Sequence, residues 1–208
     1  MESILPECLL PRRLIGFLRR QKKRGEISIP GENTLWFPTT RKGEIHFNTT
    51  RVIRVDGTKA EDLTFAEVEA RRQMMELIDF LKKNVPGFEN AYLLMSAPQI
   101  GVRETRRIIG EYVMTGEDIL KARKFVDVVA RGSYPINIHN PTGEGTVIKS
   151  PPPGSSYDIP YRSLVPKNVE NLLVAGRCIS TTHEAQAAIR VIPIVVAIGQ
   201  AAALSAKT

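Results

Sequence analysis

The stretch from residue 171 to 208, NLLVAGRCISTTHEAQAAIRVIPIVVAIGQAAALSAKT, restricts the fold more than any other part of the chain. Its short apolar run at 171–175 is cut off by Gly176, a length that predicts a strand buried on both faces. Gly176 turns the chain where a side chain would obstruct it. Ile192 precedes a proline and is biased towards extended backbone, whereas Pro193 suits the first helical position, where no backbone donor is lost. The spacing predicts a helix over 193–206. Almost every residue in it is apolar or small, so burial nearly all round is expected. Gly199 inside it costs about 1 kcal/mol relative to alanine and suggests a second backbone or a ligand close by. The N-terminus of a buried helix carries unpaired amide donors and about half a positive charge, which favours an anion or an electron-rich ligand edge. Arg190 precedes that terminus and Arg177 follows the glycine turn. Periodicity alone leaves both open to a plain reading, as solvated or salt-bridged cations on a core strand and helix.

Through NLLVAGRCIS, THEAQAAIRVIP and GQAA the stretch resembles the C-terminal signature of FAD-dependent oxidoreductases with the glutathione-reductase type of flavin domain. The resemblance implies FAD, with the helix N-terminus directed at the pyrimidine edge of the isoalloxazine ring. It implies Gly176, Arg177, Ser180, Arg190, Pro193 and Gly199 as flavin neighbours. Ala203 stands where the family usually has a glycine, a departure that bears on close packing against the cofactor.

Three further stretches carry the same resemblance. In GVRETRRIIGEYVMTGED, residues 101–118, Arg103, Arg106 and Arg107 crowd beside Glu104. If this segment is extended, Arg103 and Arg107 share one face and Arg106 takes the other, so the three do not serve one site. An arginine fork suits a carboxylate or phosphate, and an ion pair with Glu104 is the competing use. In SYPINIHNPTGEG, residues 133–145, His139 is either a proton donor or acceptor beside the flavin or a structural histidine next to a turn. Asn137 stands where the family commonly has an aspartate, which removes one carboxylate partner from His139. In YDIPYRSLVP, residues 157–166, Tyr161 offers a hydroxyl to a developing charge or simply packs between prolines. The resemblance thus implies Arg103, Arg106, His139 and Tyr161 as the substrate-side residues.

The rest of the chain reads more plainly. Residues 9–24 form a basic amphipathic pattern, open to a nucleic-acid or membrane-surface reading but better explained as a helix docked on its own domain. Residues 41–43 read as a hairpin connection followed by a strand at 44–48. Thr64 and Glu67 have the capping-box spacing and predict a helix from Phe65, with Met74, Leu77, Ile78 and Leu81 as its buried stripe and a stop at 85–87. Residues 91–96 read as a buried strand, Thr115 and Asp118 as another helix start, and 125–130 as a further strand. Cys8 and Cys178 lie far apart, with no metal-ligand or redox spacing, and point to a reducing, cytoplasmic setting. The excess of 29 Lys and Arg over 22 Asp and Glu gives a net charge of +7, which weakly favours anionic partners. The 193–206 helix is too short to span a bilayer.

The fold class expected is α+β: an antiparallel or mixed substrate-domain sheet with flanking helices over 1–166, and a C-terminal strand and buried helix of a flavin domain over 167–208. The glycine-rich phosphate loop that opens a complete Rossmann unit is not found in residues 1–60. The chain is therefore expected to be a fragment or truncated form of an oxidoreductase acting on a small molecule, holding FAD weakly or not at all. It is expected to bind neither nucleic acid nor membrane, and to self-associate through an exposed C-terminal apolar surface. A standalone, non-catalytic scaffold that has lost flavin binding is the alternative.

Overall fold

The computed structural model describes residues 11–30, 35–139 and 146–207. The chain divides into two units, the first within Met1–Gly101 and the second over Val102–Asn140 and Thr146–Thr208. Leu9, Leu10, Cys8 and the turn at Gly31 lie outside the described residues.

In the first unit, helix α1 (Pro11–Lys23) carries Arg20, Lys22 and Lys23 in its last turn, where cations suit the negative end of the helix. Its Leu18 packs with Leu77, Phe80 and Leu81 of α2 (Ala60–Asn84) in a core that also holds Ile27, Ile29, Val85 and Phe88. The basic helix is therefore docked on its own unit. Strands β1 (Leu35–Pro38) and β2 (Ile45–Asn48) form an antiparallel hairpin with Trp36 opposite Phe47. Gly43 in the connection has φ +83°, a left-handed conformation that glycine adopts freely.

Helix α2 starts five residues ahead of the expected Phe65. Glu61 and Asp62 complement the helix N-terminus, and the Asp62 carboxylate accepts from the Asp56 N–H at 2.6 Å. The Thr64 hydroxyl donates to the Ala60 carbonyl at 2.9 Å instead of capping, and Glu67 accepts from the Ile100 N–H at 2.8 Å. The buried stripe runs through Ala66, Gln73, Leu77, Phe80 and Leu81, while the expected Met74 and Ile78 are half-buried. Gln73 joins the stripe because its amide both accepts from the Arg51 N–H (3.0 Å) and donates to the Arg51 carbonyl (3.1 Å). The helix stops at Val85, as expected. The buried strand expected at 91–96 does not form. Tyr92, Leu93, Leu94 and Met95 are exposed, and no strand pairs with this run among the described residues.

The second unit opens with α3 (Gly116–Leu120), whose capping box at Thr115 and Asp118 is complete, as the spacing predicts. Strand β3 (Val128–Gly132) pairs antiparallel with β6 (Tyr157–Pro160), with a register shift between Val128 and Ala130. Strand β3 begins later than the expected 125–130 run because the ring of Phe125 packs on Tyr112, centroids 5.1 Å apart, and Asp127 is held by Arg162. Strand β4 (Ile136–His139) pairs antiparallel with β5 (Thr146–Lys149). Helices α4 (His183–Ile189) and α5 (Ile192–Ser205) complete the unit. Its core gathers Met114, Ile119, Tyr157, Ile159, Leu164, Ile179, Ala188, Ile189, Ile194 and Ile198. The fold is α+β, with helices and small antiparallel sheets.

Two C-terminal expectations are corrected. Residues 171–175 form no strand: Asn171 sits at φ +56°, and the run is tied down by the Val174 N–H donating to the Leu164 carbonyl at 2.9 Å, with no ladder beside it. Helix α5 starts at Ile192, one residue before Pro193, and it is not buried all round. Ile194 and Ile198 are buried against β3, whereas Ile192, Val196 and Leu204 are 78%, 63% and 63% exposed. The buried side fits closely: a Cβ at Gly132 would lie 2.6 Å from the Tyr157 ring and 2.7 Å from Ile194, so β3 receives α5 only with glycine there. Among the described residues no single helix is long and apolar enough to cross a membrane. Helices α4 and α5 reach that length only as a pair bent by 94°.

Strand β6 is buried throughout and carries Asp158 out of water. Burial alone raises the pKa of Asp158, but hydrogen bonds from Lys124 and the Phe125 amide, with the charges of Lys124 and Arg131, outweigh it and hold the carboxyl below its usual range. Asp118 is lowered in the same way against its burial, by Thr115, Arg123 and Tyr112, and Asp127 is lowered mainly by Arg162. A carboxylate whose folded pKa lies below the unfolded value of about 3.9 stabilises fully above that value and loses the contribution as pH falls towards the folded pKa. The urea midpoint is expected to drop as pH is lowered below about 4. Asp158→Asn is expected to make that acid limb shallower, and an unchanged limb would show that Asp158 does not carry it.

Candidate functional site

Residues 183, 186 and 190 are spaced at i, i+3 and i+7, which puts His183, Gln186 and Arg190 on one side of α4. The extended segment 103–107 is bonded to that side. The Gln186 amide donates to the Arg103 carbonyl at 2.9 Å, and His183 Nδ1 lies 2.6 Å from Glu104 Oε2. Glu104 also pairs with Arg107, so the competing use left open by the sequence is realised by that arginine. The segment is anchored further on by the Ile108 N–H, which donates to the Cys178 carbonyl at 2.9 Å. His183 was not among the expected site residues. The i, i+3, i+7 pattern in THEAQAAIR was the signal that could have found it.

Arg190 caps α4 at the bend into α5 and is half-buried. Burial lowers its pKa most, the positive charge of Arg103 lowers it further, and Tyr134 acts in the opposite direction. Tyr134 precedes β4; its hydroxyl receives Asn137 Nδ2 at 3.4 Å, and its carbonyl accepts from the Tyr157 hydroxyl at 3.1 Å. Burial pushes the Tyr157 phenol well up, so it stays a neutral donor. The structure therefore bonds the Arg103 main chain to α4 one turn before Arg190, and links Asn137 to Tyr134.

The other sequence candidates fall elsewhere. Arg106 is exposed. His139 ends β4 opposite Thr146, and its side chain lies outside the described residues. Tyr161 opens a 3-10 turn (Tyr161–Ser163), half-buried, with its N–H donating to the Asp127 carbonyl at 2.7 Å. Arg162 is committed to Asp127 at 2.9 Å and to the Tyr112 ring at 5.4 Å. Ser180 is fully buried, its N–H donating to the Ser163 carbonyl (2.9 Å) and its own carbonyl accepting from the Met114 N–H (3.0 Å), while its hydroxyl has no partner among the described residues.

Gly176 turns at φ +93° with the Val195 side chain 3.9 Å from where its Cβ would be, and a Cβ at Gly199 would meet nothing within 4 Å, leaving open space beside the helix. Arg177 is exposed on the same turn. The helix start itself is less electropositive than expected: Pro193 has no N–H, and the amides of Ile194 and Val195 donate back to the Val191 carbonyl at 3.1 and 3.0 Å. Among the described residues no group of three His, Cys, Asp or Glu side chains is placed to hold a metal ion.

The described residues thus place Arg190 at the bend between α4 and α5, open space beside Gly199, and the main chain of Arg103 on α4. The chain belongs to the FAD dependent oxidoreductase family, which matches it over residues 8–208. No curated protein and no solved structure matches it.

The Glu104 ion pairs are partly exposed, with side chains 21% exposed for Glu104, 25% for Arg107 and 53% for His183. Such pairs contribute under about 1 kcal/mol. Glu104→Gln is expected to lower stability by no more than that, with the difference shrinking at high salt, as read by urea denaturation at two salt concentrations. A larger, salt-insensitive loss would show that Glu104 organises the segment rather than decorating it.

Proposed function

We propose that this chain serves in the FAD-dependent oxidation or reduction of a small organic substrate. Residues 167–208 act in this reading as the C-terminal part of the FAD-binding domain, and the preceding residues as its substrate domain. The observation that carries the reading is the family match over nearly the whole chain. When bound, FAD supplies the acceptance or donation of the hydride or electrons. Arg190 and Arg177, with the start of α5, hold the ring edge, and Gly199 leaves room for it. Arg103, Arg106, His139 and Tyr161 stand on the substrate side.

FAD is held weakly by this chain alone. The described residues offer charge and space for the ring, but no glycine-rich turn from a parallel strand into a helix for the diphosphate. That same observation favours the second reading, a non-catalytic scaffold that has lost flavin binding. Titration of the chain into FAD, followed by flavin fluorescence and visible absorption, separates the two. Saturable binding that washes out on desalting, and that weakens about tenfold in Arg190→Ala and Arg177→Ala, supports the flavin site. Flavin signals unchanged at every protein concentration support the scaffold.

The exposed side of α5, with Ile192, Val196 and Leu204, is covered in this reading by a second copy of the chain. Light scattering is expected to show a concentration-dependent dimer that Val196→Glu shifts to monomer. A monomer at high concentration overturns the self-association.

A further inference from the structure

We propose that His183 and Glu104 form a proton-transfer dyad: Glu104 fixes the imidazole through Nδ1, and Nε2 takes or returns the proton of an O–H or N–H group on a small molecule. In making that molecule the substrate, the inference rests on the redox reading above.

The contact that carries it is direct. His183 Nδ1 lies 2.6 Å from Glu104 Oε2, and the other oxygen of Glu104 meets the Arg107 guanidinium, as a carboxylate does. A carboxylate only accepts, so the hydrogen between the two side chains sits on Nδ1. In the neutral ring this leaves the lone pair on Nε2. That nitrogen has no partner among the described residues and belongs to a side chain 53% exposed.

Charge balance does not account for the pair. Glu104 already has Arg107, and an exposed ion pair adds little stability, so what His183 gains from Glu104 is a fixed ring. Glu104 is itself presented from backbone that is bonded on both sides, by Gln186 at the Arg103 carbonyl (2.9 Å) and by the Ile108 N–H on the Cys178 carbonyl (2.9 Å). A carboxylate that holds Nδ1–H while Nε2 faces outward is the arrangement that makes an imidazole a directed base or acid.

The position suits the reaction. Arg190 holds the ring edge in the reading above, and His183 stands seven residues earlier on the same side of α4, about 10 Å along the helix axis, which leaves room for a small substrate. In the oxidising direction the O–H or N–H bond breaks, the proton goes to Nε2 and the electron pair stays on the heteroatom; accepting the hydride belongs to the flavin. In the reducing direction the imidazolium gives the proton back.

The test uses the full chain without flavin. Long-range proton–nitrogen NMR above about pH 8, where an ordinary imidazole is neutral, reads which ring nitrogen carries the hydrogen. His183 is expected in the Nδ1–H form, to shift towards the Nε2–H form in Glu104→Ala, and to keep the Nδ1–H form in Glu104→Gln, which retains an accepting oxygen. The reactivity probe is p-nitrophenyl acetate: Nε2 attacks the ester carbonyl, the bond to p-nitrophenolate breaks, and water then releases acetate. Release of p-nitrophenolate is expected to fall about tenfold or more in His183→Ala, to fall in Glu104→Ala and to recover in Glu104→Gln. His46→Ala, which removes a histidine of the β1–β2 hairpin, is expected to leave it unchanged. His183 in the Nε2–H form in the unmutated chain overturns the proposal, and that measurement needs no variant to fold. Release that survives His183→Ala, carried by His46 or His139, overturns it as well. Failure of FAD to bind counts against the redox reading and leaves the dyad standing.

Discussion

The second unit depends on a carboxylate held almost wholly out of water. Asp158 lies on β6, a strand buried at all four positions, and a buried charge is tolerable only when its partners are close and its lone pairs are used. Lys124, Arg131 and the Phe125 amide meet those conditions, at 3.1, 3.1 and 3.2 Å. The consequence is geometric. Arg131 is the register partner of Asp158, so the ion pair specifies how β3 lies on β6, and the Asp158 N–H donating to the Arg123 carbonyl at 2.9 Å ties down the approach to β3.

From that fixed ribbon the rest of the unit follows by contact. Tyr157, next to Asp158 but facing the core, places its hydroxyl on the Tyr134 carbonyl and approaches the Ala188 carbonyl at 3.5 Å, and so relates the turn before β4 to the end of α4. Gly132, opposite Tyr157 in the register, leaves the space that Ile194 of α5 enters. Arg190 lies between Ala188 and Ile194 in sequence, at the bend whose two arms these contacts hold. Its position is thus set by apolar packing and neutral hydrogen bonds, with no acid spent on it. That arrangement keeps a cation half-buried without neutralising it, which surface ion pairing could not do.

The sequence was most informative where a local rule decides the structure. The Thr115 and Asp118 box, the hairpin at Gly43, the stop of α2 at Val85 and the start of α5 within one residue of Pro193 are all set by one or two side chains acting on neighbouring backbone. It was misleading where an apolar run needs a distant partner to become a strand. Residues 91–96 and 171–175 have strand composition, but period and composition do not say whether a ladder exists to receive them, and none does among the described residues. Helix α5 failed in the same way: a largely apolar composition reports a tendency to bury, and only one side finds neighbours. In the site, the family motif indicated Arg103 and Arg190 separately, on opposite sides of the chemistry. What relates them is the Gln186 tether to the Arg103 carbonyl, which joins residues 83 positions apart and leaves no mark in either local sequence.

The same tether explains why His183 escaped notice and His139 did not. Both histidines lie in stretches that resemble the family's motif, but His183 looks like an ordinary first-turn residue of α4. What distinguishes His183 is Glu104, which reaches it from segment 103–107 because that segment is pinned to Gln186 one turn further along. Glu104 therefore does two things at once. It pairs with Arg107 and lies within hydrogen-bond distance of His183, and by being spent there it leaves Arg103, its immediate neighbour, without an acid among the described residues. The side of α4 is polarised as a result, paired at its N-terminal end and uncompensated at the bend.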